Sequence, residues 1–201
     1  MNTKYFLGLT FYPDNAFSKH IESFRARFDS KYITNSELYL PIVPPFEVEV
    51  TETKKLKQEL VEELESFFFE NTANHSLNFS GIDVHTYNKN IMLYLNPVMD
   101  EEFLLCQESL FDICQSYISN REKKMKDSSK KTFLTIGRFT DPVELHSSIA
   151  LAQTEFQEFT ALAYKSICLY SKNNGIWYRE ADLVTFEKPD LSLLQSNQVP
   201  V

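Results

Sequence analysis

Phe133-Leu134-Thr135-Ile136-Gly137-Arg138 reads as a strand whose side chains alternate, and it runs straight into a compact helix start at Asp141-Pro142-Val143-Glu144. Asp suits an N-cap, Pro the first helical position and Glu the third. Leu145, Ile149, Ala152 and Phe156 then continue an apolar face at helical spacing, predicting a helix over 141–157. Beyond it, the runs 159–171 and 176–186 flank Asn173-Asn174-Gly175, which is turn chemistry for a hairpin.

The same succession occurs earlier in the chain. Tyr39-Leu40-Pro41-Ile42-Val43-Pro44-Pro45-Phe46 reads as a strand over 38–43 that is broken by Pro44-Pro45 and resumes over 46–50, with a bend or bulge between because a prolyl ring cannot donate to a ladder. A helix over 52–69 follows, with Leu56, Leu60, Leu64, Phe67 and Phe68 on one face. Two strands come next, over 75–86 and 90–96. Strand, helix and strand pair thus occur twice. If the halves are related by a two-fold axis, Tyr39 and Phe133 lie at equivalent points and face one another across a central groove, a usual place for a ligand.

The remaining elements frame this duplication. Residues 4–12 are almost continuously apolar, as in a strand buried on both faces. Pro13 ends it and Asp14 is a candidate N-cap for a helix with Phe17, Ile21, Phe24 and Phe28 on one face. A third helix over 100–119 buries Phe103, Leu110, Phe111, Cys114 and Tyr117. The polar run Arg121–Lys131 is a linker, and the tail 189–201 is loosely ordered.

Composition narrows the function. With 201 residues the chain makes one domain, here 1–188. Four glycines and no Gly-rich fingerprint argue against a backbone phosphate cradle. A net charge of −8 argues against extended DNA or RNA backbone binding, though not against a pocket for one terminal phosphate. Cys106, Cys114 and Cys168 lack metal or redox spacing and read as reduced core thiols, which points to a cytoplasmic protein. The apolar run 5–12 reads as a strand, not a leader, and no run is long enough to span a bilayer.

The two strand motifs resemble the signatures of the two-histidine (2H) phosphoesterases, specifically the bacterial 2′-5′ RNA ligase-like and cyclic phosphodiesterase branch. In that family a strand carries His-x-Thr, and the second signature is often followed by an apolar residue, Gly and Arg. The resemblance covers most of the chain and implies an α+β fold. Two pseudo-symmetric lobes, each an antiparallel sheet flanked by helices, would enclose a central groove. It also implies a metal-free, cofactor-free site in which two imidazoles pass protons and two threonines hold phosphate oxygens. Here Tyr39 and Phe133 stand at the histidine positions and Pro41 at the first threonine position. Only Thr135 remains, with Arg138 after it.

A phenyl ring carries no proton and proline no hydroxyl, and each positioned acid or base is worth about 10²–10⁴ in rate. The resemblance therefore implies a monomeric pseudoenzyme that binds a nucleotide or RNA terminal phosphate through Thr135, Arg138 and His85. An ordinary tyrosine pKa near ~10 suits Tyr39 poorly as an acid–base substitute. Each candidate also has a plain structural role: Thr135 as a β-branched strand residue, Arg138 paired with a carboxylate such as Asp141, His85 as an exposed turn residue. Lys123–Lys131 could steer anions toward the groove, and Arg179 is a further anion contact. His20 and His146 read as helix-surface residues and His75 as a strand start. Two alternatives stand beside the pseudoenzyme. One is an active phosphodiesterase or ligase using His85 and Tyr39. The other is a protein-interaction module whose aromatics fill the groove.

Overall fold

The computed structural model describes residues 2–13, 15–32, 37–69, 75–87, 90–118, 125, 131–156 and 160–188. Most of the basic run 121–131, the tail 189–201 and the cap candidate Asp14 lie outside them. In order, the chain forms β1 (Asn2–Phe11), α1 (Ala16–Phe28), β2 (Tyr39–Glu49), a 3₁₀ turn (Val50–Glu52), α2 (Thr53–Phe69), β3 (Ser76–Tyr87) and β4 (Asn90–Val98). α3 (Glu101–Ser116), β5 (Leu134–Phe139), α4 (Pro142–Glu155), β6 (Leu162–Asn173) and β7 (Ile176–Thr185) follow.

Seven antiparallel strands and four helices make an α+β architecture. The strand order is β2-β1-β6-β3-β4-β5, with β7 on the other side of β6. The sheet has a narrow waist: β6 meets β3 only where Ser76 and Leu77 oppose Ala163 and Leu162. On one side of the waist stand β2, β1, β6 and β7; on the other, β3, β4 and β5. α2 and α3 pack on the first block and α1 and α4 on the second. The hairpins are exchanged between the repeats. β3–β4 pairs with β5, and β6–β7 pairs with β1 beside β2.

Local chemistry explains the elements. β1 is buried from Tyr5 to Phe11 because it lies inside the sheet with helices on one face and rings on the other. Leu56, Leu60 and Leu64 of α2 are fully buried, each contributing about 2 kcal/mol of burial. Asp141 caps α4 by accepting from the Val143 N–H at 2.9 Å, with Pro142 behind it. Asn174 (φ 48°) and Gly175 (φ 85°) take the left-handed backbone that the β6–β7 turn requires.

Two expectations change. α1 is capped by Asn15, whose Oδ1 accepts from Ser18 N–H at 2.7 Å while its Nδ2 donates to Ala161 O at 2.9 Å. And β2 is not broken at Pro44-Pro45. It continues to Glu49, and the expected bulge is present as register irregularities that place extra β2 residues opposite Tyr5–Gly8. A strand at the sheet margin tolerates proline because its outer edge needs no donors, and a bulge absorbs the misfit.

Candidate functional site

The two motif strands are brought together by a side chain that neither contains. Gln107 of α3 is buried, and its amide nitrogen donates to Ile42 O of β2 at 2.8 Å and to Thr132 Oγ1 at 2.6 Å. One NH₂ has two protons and can serve both acceptors. Beside this staple lies a cleft of about 290 Å³. Pro41, Ile42, Pro44 and Pro45 line it from β2; Lys131, Thr132 and Phe133 line it from the approach to β5, with His85 from β3.

Phe133 is half-buried, its ring 4.6 Å from Tyr94 and 5.8 Å from His85 between centroids. His85 is exposed, on β3 opposite Met92. Desolvation, then the Asp83 carboxylate, pushes the Tyr94 phenol above its ordinary pKa. Of the sequence candidates, Pro41, Phe133 and His85 share the cleft. Thr135 lies one step further along β5, opposite Tyr94, and is not among the lining residues.

Tyr39 belongs to a different environment. Its ring centroid is 5.1 Å from Phe6 and 5.3 Å from Tyr170, and Phe6 stacks on Tyr170 at 4.6 Å with Trp177 edge-on. The rings converge over Gly8: a Cβ there would lie 3.1 Å from Tyr170, 3.2 Å from Phe6 and 3.5 Å from Tyr39. Tyr39 is therefore part of an aromatic roof over Gly8. Burial, then the bond to Glu37, drives the Tyr170 phenol far above its usual pKa, so it holds its proton and donates to Glu37 Oε2 at 2.6 Å. Arg179 donates to the other Glu37 oxygen, to Ser166 Oγ at 2.7 Å and to Asp182. That guanidinium is committed to internal partners.

Arg138 is likewise committed, though to Asp29, not to Asp141. Its Nη1 lies 2.6 Å from both Asp29 oxygens, and Asp29 bridges to it through backbone at the end of α1. Arg25 lies on the other side, Nε 3.6 Å from Asp29 Oδ2, and donates Nη1 to Glu37 O at 3.3 Å. The Asp29 side chain is fully buried and that of Arg25 nearly so. Burial lowers the Arg25 pKa, Asp29 opposes this, and Arg138 adds to it.

Sequence reading missed Gln107, Arg25 and Asp29, yet the first two carried a signal. Gln107 sits between Phe103 and Leu110 on the apolar stripe of α3, and Arg25 follows Ile21 by four on that of α1. A polar group on a buried stripe needs a partner.

Burial raises the Cys106 thiol to about 12 and the Cys168 thiol to about 11. Among the described residues no group of three His, Cys, Asp or Glu could hold a metal ion. No helix there is long and apolar enough to cross a membrane. His20 bonds Glu155 at 3.1 Å and His75 stacks near Tyr164, both away from the cleft. No family model matches the chain, and no curated protein sequence matches it.

Proposed function

We propose that the chain is a bilobal 2H phosphoesterase-like protein without the acid–base pair, binding a nucleotide or RNA terminal phosphate between β2 and β5 and not turning it over. One observation carries this reading. The motif strands meet at an accessible cleft, and the motif positions among its lining residues are Pro41 and Phe133, neither of which can carry a proton. The exchange of hairpins between the repeats also accords with it.

Two-step proton transfer needs two positioned groups. His85 lines the cleft, whereas Tyr39 lies under the aromatic roof, so the pairing required by an unorthodox enzyme is not supported. Nor do Tyr39 and Phe133 plug the groove together, since each ring packs against other partners. Lys131 supplies a cation to the cleft, and His85 supplies ring nitrogens.

The test is an assay paired with a titration. Purified protein should release no product from 2′,3′-cyclic AMP or a 2′-5′-linked diadenylate above buffer. Calorimetry should detect adenosine 5′-monophosphate binding that weakens as salt rises. Turnover that disappears in His85→Ala would establish an enzyme instead. Heat-silent titration with every nucleoside monophosphate would remove the nucleotide reading.

A further inference from the structure

The cleft is chemically one-sided. Its walls are three prolyl rings, Ile42 and the Phe133 ring, and the donors that could meet an anion are Lys131 and His85. Thr132 is the remaining polar side chain, and its hydroxyl already accepts from Gln107. The residues that the motif suggests for phosphate are elsewhere: Arg138 holds Asp29, and Thr135 is outside the lining. At about 290 Å³ the space falls at the small end of ligand pockets and is ample for a planar ring system.

Resting on the nucleotide reading above, we infer that the cleft takes the base first. A purine lies between Phe133 and the proline wall of β2, and the phosphate remains outside the apolar cavity, facing Lys131 and His85. Aromatic faces and prolyl C–H edges accept any flat π-system, which gives affinity without base-edge readout. The β2 wall favours this arrangement further, since Pro41, Pro44 and Pro45 have no backbone N–H to offer an oxyanion. Phe133 thus becomes the affinity-determining residue at the very position where the motif would place a catalytic group.

Three ligands separate the alternatives with unmodified protein: adenosine, adenosine 5′-monophosphate and ribose 5-phosphate. Base-first binding predicts that adenosine binds within about ten-fold of the monophosphate and ribose 5-phosphate about 100-fold more weakly. Phe133→Ala should weaken adenosine and the monophosphate alike by about ten-fold. Lys131→Ala, at an exposed position, should weaken the monophosphate and leave adenosine unchanged. Ribose 5-phosphate binding as well as the monophosphate, with adenosine silent, overturns the inference while the nucleotide reading survives. Equal adenosine affinity in wild type and Phe133→Ala also overturns it. Failure of all three ligands overturns both.

Discussion

β2 and β5 hold equivalent places in the two repeats, and both end the strand path, yet they are built by different means. β2 runs eleven residues, carries three prolines and shifts register twice against β1. β5 runs six, has no proline, and has its margin met by Asp29 from the end of α1. One margin is guarded by removing donors, the other by covering them, two routes to keeping an edge from pairing with another chain. The motif positions differ accordingly. Tyr39 is absorbed into a ring cluster that needs Gly8 beneath it, whereas Phe133 faces the cleft. The contrast teaches that two strands in matching places can treat their first aromatic differently: Tyr39 packs half-buried against a ring cluster, whereas Phe133, equally half-buried, lines an accessible cleft.

The largest effect expected from disturbing this contrast lies on the β5 side. Asp29→Ala leaves Arg25 and Arg138 without their shared carboxylate in a buried setting, which costs about 3–5 kcal/mol. Urea denaturation would read it. Asp29→Asn keeps the shape and isolates the charge, so a similar loss there identifies the ion pairs as the cause. A loss under 1 kcal/mol in both would mean that α1 alone covers the β5 margin.

Glycine substitutions compare the two strands more finely. In Gly137→Ala the new Cβ would meet the Phe139 ring at 2.8 Å and the Phe28 carbonyl oxygen at 3.4 Å; in Gly8→Ala the nearest atom is at 3.1 Å. Overpacking costs about 1–3 kcal/mol, and the β5 variant should sit at the upper end. Adding Tyr39→Ala to Gly8→Ala should not restore stability fully, because Tyr170 and Phe6 are nearer than Tyr39.

Gln107→Leu tests whether the strands are held together by its amide. Leaving the Ile42 carbonyl and the Thr132 hydroxyl short of a donor costs about 1–2 kcal/mol. Monophosphate affinity should fall with it, as the two walls are no longer in register. Unchanged affinity would separate the staple from the cleft.

The smallest effect joins α1 to α4. Arg27, then His20, holds the Glu155 carboxyl below its usual pKa against the opposing pull of burial. A depressed folded-state value means that the contribution is whole above the ordinary carboxylate range and is lost as pH falls through the lower, folded value. Glu155→Gln should therefore cost about 0.5–1 kcal/mol near neutral pH, with the difference from wild type shrinking on acidification. A difference that grew toward acid would contradict the assignment.

Much of the architecture was legible because it is local. The stripes of α1, α2 and α3, the Asp141-Pro142 helix start and the Asn174-Gly175 turn each depend on neighbours a few residues away. Strand exchange between the repeats was not legible, since pairing β4 with β5 depends on contacts across forty residues of chain. Continuity of β2 through Pro44-Pro45 was hidden for a related reason: a proline reads as a stop unless the strand is known to lie at an edge. In the site, Phe133, Pro41 and His85 could be placed near a groove from the motifs. Lys131 read as the end of a linker whose basic run could steer anions, not as a residue lining the cleft. That Arg138 would be held by Asp29 required knowing that α1 ends beside β5.

The central claim is that the open half of the groove, at Phe133, is where a nucleotide binds. An amide-resolved NMR titration of the intact protein with adenosine 5′-monophosphate tests it most directly. The account predicts saturable shifts concentrated at Ile42, His85, Lys131, Thr132 and Phe133, with Tyr39 and the Asp29–Arg138 pair little affected. Shifts centred on Arg138 and Thr135, or none at the cleft at saturating nucleotide, would contradict it.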